Sequence, residues 1–79
     1  MKYPLIVSDI AILGGKPCIK GTRISVQLIL EWIATGATIQ DIVIKHPHIS
    51  IEAIQQAILY ASDSMKNEIV IEVQHSNAA

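Results

Sequence analysis

Ten consecutive residues, Gly14-Gly15-Lys16-Pro17-Cys18-Ile19-Lys20-Gly21-Thr22-Arg23, combine the side chains and the backbone best suited to gripping an anion. They hold three of the four glycines and three of the six basic residues in the chain. Successive glycine amides beside lysine and arginine can cradle a phosphate. The spacing is not that of a nucleotide loop, which needs Gly-Lys followed by Ser or Thr. Here Pro17 follows Lys16 and brings no N–H. Clustered glycines also mark backbone conformations that other residues avoid, and Pro17 pushes Lys16 toward an extended conformation. The same run therefore reads as a stiff corner, two tight turns around a short extended piece. On either reading Lys16, Lys20 and Arg23 are displayed to meet phosphate or an acidic partner.

A second set of candidates lies between residues 50 and 62. Gln55 and Gln56 have the amide geometry that pairs with adenine edges, and Ser50 can donate to a phosphate at a helix start. Glu52 works against this by repelling phosphate, and the alternative is a solvated helix face. His46, His48, His75 and Cys18 do not have the paired short spacings of a zinc site. Cys18 sits between Pro17 and Ile19 with no oriented histidine or carboxylate, so it reads as a small buried apolar residue. No Ser-His-Asp or paired-carboxylate arrangement is assignable. The expectation is no enzyme, no cofactor and no metal.

The elements that must position these residues come from a single 79-residue domain, 51% apolar. Sixteen isoleucines against one tryptophan, two tyrosines and no phenylalanine make that content aliphatic. So small a monomer hides such a surface with difficulty, which predicts a homodimer or a standing protein partner. Net charge is −1, a poor footprint for general nucleic-acid binding. The charge is segregated, however. Residues 10–30 carry three cations and no anion, whereas three acids face one lysine from Asp63 onward. A lone cysteine, no apolar run long enough for a signal peptide and none near the roughly 20 residues of a membrane span predict a cytoplasmic protein with no membrane contact.

Residues 4–24 read as extended corner. Ser25 is placed to cap a first helix, with Ile24 and Ile29 at hydrophobic-staple spacing and Gly36 as its left-handed stop. Within it Val26, Ile29, Leu30 and Ile33 share a stripe that Leu28 and Trp32 widen. Thr38 and Asp41 form a capping box for a second helix that Pro47 ends near Lys45. Ser50 begins a third helix over 50–62, with Ile49 and Ile54 as its staple. Its predicted inner side is Ile51, Ile54, Ile58 and Ala61, and its wet side Glu52, Gln56, Tyr60 and Asp63. Residues 68–73 alternate as a strand, pairing with residues 5–12 or with another chain, and 74–79 form a tail. The fold class is mostly α, a three-helix core with an N-terminal extended segment and a C-terminal strand. Helices two and three outline a helix-turn-helix.

The run Gly15 to Val26 resembles the signature of the domain-of-unknown-function family 433, small bacterial proteins described as VapB-like antitoxins. Ile33, Gly36, Ile39, Ile42, Pro47, Ile54, Ala57 and Tyr60 continue the likeness over roughly residues 5–62. The resemblance implies a homeodomain-like trihelical fold, a toxin partner of the PIN-like ribonuclease type and binding to double-stranded operator DNA. It carries no catalytic residue onto this chain. The expectation is an antitoxin-like DNA-binding protein with Lys16, Lys20, Arg23, Ser50, Gln55 and Gln56 at the DNA. The alternative is a protein-interaction module that leaves DNA untouched.

Overall fold

The computed structural model describes residues 2–66. Within them the order is β1 (Ile6–Val7), a 3₁₀ turn (Leu13–Gly15), β2 (Cys18–Ile19), α1 (Val26–Ala34), α2 (Ile39–Lys45) and α3 (Ile51–Ser64). The strand expected over 68–73 and the tail over 74–79 lie outside the described residues.

Each helix begins where a short polar side chain can satisfy a free amide. Ser25 Oγ accepts from the Leu28 N–H and Ser50 Oγ from the Ala53 N–H, both at 3.0 Å. At α2 the capping box is complete: Thr38 Oγ1 accepts from the Asp41 N–H and Asp41 Oδ2 from the Thr38 N–H. Aspartate thus serves where glutamate is the commoner partner. The end of α1 is a Schellman turn. The Gly36 N–H donates to Ile33 O and the Ala37 N–H to Trp32 O, with Gly36 at φ +109°, a conformation open to glycine and strained in other residues.

Burial selects which helix faces point inward. Ile29, Ile49 and Ile54 are fully enclosed, with Val26, Ile42, Ala53 and Ala57 around them. Burying an isoleucine side chain contributes about 1.5–3 kcal/mol, so this aliphatic cluster dominates the fold. α3 is the central element and touches α1, α2, β1 and β2. Its inward face differs from the predicted one. Ala53, Ile54 and Ala57 are buried, while Ile51 and Leu59 are exposed. The N-terminal segment lies against the helix through Leu5 on Gln56, Tyr3 on Tyr60 and Lys2 on Asp63. That rotates the covered arc toward Gln56 and Tyr60, which the periodicity of large aliphatics alone assigns to water.

The corner has the predicted design of two turns around an extended piece. β1 and β2 are antiparallel, with Ile6 opposite Ile19 and Val7 opposite Cys18. After a turn the chain comes back along β2 to start α1: the Val26 N–H donates to Pro17 O, and Cys18 bridges to Ser25. The Lys20–Arg23 turn is pinned by Thr22, whose hydroxyl donates to Ile19 O and accepts from the Ile24 N–H.

Candidate functional site

The three corner cations are all exposed. Lys16 and Arg23 come together across a shallow groove of about 380 Å³ between the 3₁₀ turn and the first turn of α1. Leu13 and Leu28 are the aliphatic residues of its lining, and Ser25, Gln27 and Glu31 complete it. Lys20 is not part of the lining of this groove. Among the described residues the one ion pair is Lys2 with Asp63, so the three corner cations have no acidic partner there. Two of the amides that a phosphate cradle would draw on are engaged within the fold. The Gly15 N–H is used by Ile12 O, and the Lys16 N–H is directed at Leu13 O. The corner therefore offers cationic side chains on a stiff frame, and its backbone amides are largely spent on holding that frame.

The third helix divides its polar residues between two tasks. Ser50, Glu52, Gln55 and Ser62 are exposed. The expectation that Gln56 faces outward with them is corrected. Its side chain is half-buried, and Oε1 accepts the Leu5 N–H at 2.8 Å. That acceptor satisfies an amide of the N-terminal segment, and pairing it with an adenine would orphan the amide. Tyr60 meets Tyr3 edge-on at 5.3 Å between ring centres. Asp63 accepts the Tyr3 hydroxyl and pairs with Lys2 Nζ at 3.0 Å. One side of α3 is thus a clasp for residues 2–6, and only the Ser50–Glu52, Gln55, Leu59 and Ser62 strip faces out.

Electrostatics follows these contacts. The hydrogen bond from Tyr3, then that from Lys2, holds the Asp63 carboxyl below its ordinary value. The same bond raises the Tyr3 phenol, and Asp63 raises the Lys2 ammonium. At Asp41 the Thr38 amide, then the Thr38 hydroxyl, lowers the carboxyl. Hydrogen bonds to an ionised carboxylate favour the charged form, which is the common cause.

Residues outside the expected site form a second concavity of about 620 Å³ at the junction of α1 and α2. Trp32 and His46 stack there, with ring centres 4.9 Å apart and planes within 10°, and His48 meets His46 edge-on. Trp32 is therefore half-buried against an imidazole and is not sealed in the core. The two residues are separated by a whole helix, so nothing local in the sequence pairs them. Cys18 is buried, its Sγ 3.1 Å from Lys16 O. Among the described residues no three histidine, cysteine or carboxylate side chains are grouped to hold a metal ion, and no helix is long and apolar enough to cross a membrane.

The architecture defines a small, mostly helical protein with a short two-stranded antiparallel ribbon at its N-terminal side. Residues 6–61 match the model of the family described as Protein of unknown function (DUF433), and the chain belongs to that family. No curated protein and no solved structure matches it significantly. The family match spans both the corner and α3, but it assigns them no role.

Proposed function

We propose that this chain is an antitoxin-like regulator with a homeodomain-like helix-turn-helix. In this reading it works as a homodimer, contacts operator DNA through the start of α3 and the basic corner, and neutralises a PIN-like ribonuclease toxin by binding it. The observation that carries the DNA half is the α2–turn–α3 unit. Both helices are capped, the turn is brief, and Ser50 and Gln55 stand exposed on the second helix. Ser50 and Gln55 are the α3 contacts of this reading, with Lys16, Lys20 and Arg23 as phosphate contacts. Gln56 serves the fold.

The second reading is a protein-interaction module that leaves DNA untouched. The outward strip of α3 favours it, because that strip carries Glu52 and the exposed Ile51 and Leu59, and no cation. Exposed aliphatics gain nothing from a phosphate backbone and are covered by an apolar partner surface. The strip thus offers a surface for a protein partner, which both readings require.

Salt-dependent binding to duplex DNA from upstream of the gene divides the two readings. Under the first, affinity falls as salt rises, with a log–log slope of about 0.9 per neutralised phosphate, and Lys16→Ala with Arg23→Ala flattens it. Absence of saturable DNA binding, together with co-purification of the product of an adjacent reading frame, leaves the protein-interaction module.

A further inference from the structure

We infer that the groove between the Leu13–Gly15 turn and the first turn of α1 is a docking slot for an acidic, aliphatic segment of a partner protein. This assignment stands on the groove itself and gives Lys16 and Arg23 to an acidic peptide, where the DNA reading gives them to phosphate.

The first observation is charge without a partner. Lys16 and Arg23 both line the groove, and neither is in an ion pair among the described residues. Glu31 is the one acid of the lining, and its Oε1 accepts from Gln27 Nε2 at 3.3 Å. The surface is net cationic in a chain whose formal charge is −1.

The second observation is strain. Leu13 is the only non-glycine among the described residues with positive φ, at +51°. Leucine is disfavoured in that region, because its Cβ crowds the backbone. Its side chain does not repay the cost in the core: it is 42% exposed and takes no part in the buried cluster. Backbone strain that brings no packing gain is a mark of use. The strained turn holds an aliphatic side chain at one lip of the groove, with Leu28 lining it from α1.

These features select the ligand. A DNA backbone gains from Lys16 and Arg23 but nothing from Leu13 and Leu28, and Glu31 repels it. An extended peptide sends alternate side chains to opposite sides. Its aliphatic side chains can cover Leu13 and Leu28 while its carboxylates reach Lys16 and Arg23. The occupant is therefore a segment in which aspartate or glutamate alternates with leucine, isoleucine or valine.

The test is a dye-labelled, end-capped peptide of alternating glutamate and leucine titrated into the full chain, with a lysine-for-glutamate peptide as control. The glutamate peptide binds saturably and the lysine peptide does not. Leu13→Asn relaxes the strained turn, so the melting temperature stays level or rises, while peptide affinity falls at least fivefold. Arg23→Gln weakens binding and Glu31→Gln tightens it. Absence of saturable binding, equal binding of the two peptides, or full affinity in Leu13→Asn overturns the assignment. So does a duplex DNA that displaces the peptide and binds wild type and Leu13→Asn alike, since that describes a phosphate site.

Discussion

The corner and the third helix use their polar side chains in different ways. On α3 one side of the helix spends its polar residues on the protein itself. Gln56 holds the Leu5 amide, Tyr60 packs on Tyr3, and Asp63 gathers Tyr3 and Lys2. In the corner the backbone is spent on tight turns, and the cationic side chains remain unpaired among the described residues. A polar residue on a helix therefore says little about recognition until its partners are known. The residues free to meet another molecule are those whose charge nothing in the fold answers.

The comparison breaks most visibly if α3 is not the structural centre. Ile54→Ala removes a fully enclosed side chain and should cost about 2–5 kcal/mol, measured by urea denaturation. A loss below 1 kcal/mol would mean that α3 does not organise the core. Gly36→Ala comes next. A Cβ there meets nothing within 4 Å, so its cost is backbone strain alone, about 1–2 kcal/mol.

Gln56→Ala strands the half-buried Leu5 amide and should cost about 1–3 kcal/mol, with no change in DNA sequence preference. Gln55→Ala should leave stability within about 0.5 kcal/mol. Should the two variants trade these phenotypes, the division of α3 between clasp and open strip is wrong.

Acid sharpens the same point. The folded state depresses the Asp63 and Asp41 carboxyls from the ordinary 3.8. Their contribution is complete above that value and is lost as pH falls through the lower folded value. Tyr3→Phe removes the main cause at Asp63. Its stability deficit at pH 7 should therefore shrink when denaturation is repeated at pH 3. A deficit that is constant with pH would separate Tyr3 from Asp63. The smallest stability effect belongs to the corner. Lys16→Ala with Arg23→Ala should shift stability by no more than about 0.5 kcal/mol and act on binding alone.

Much of the scaffold was readable from local chemistry. The caps at Ser25, Thr38 and Ser50, the stop at Gly36 and the paired turns of the corner all depend on residues within a few positions of one another. Near neighbours meet whatever the rest of the chain does. Local chemistry stops being informative where distant segments meet. Helical periodicity points Ile51 inward and Gln56 outward because it weighs large aliphatics and holds nothing about Leu5, whose amide claims Gln56.

Local sequence therefore settled where the helices start and stop, and which ten residues concentrate positive charge on a rigid backbone. The allocation of partners belonged to the assembled fold. It joined Tyr3 to Asp63 and Leu5 to Gln56, stacked Trp32 on His46, and set Lys16 and Arg23 around one groove. Such pairings depend on separations across the chain, which are fixed only when the aliphatic core closes and draws β1, β2 and the helices onto α3.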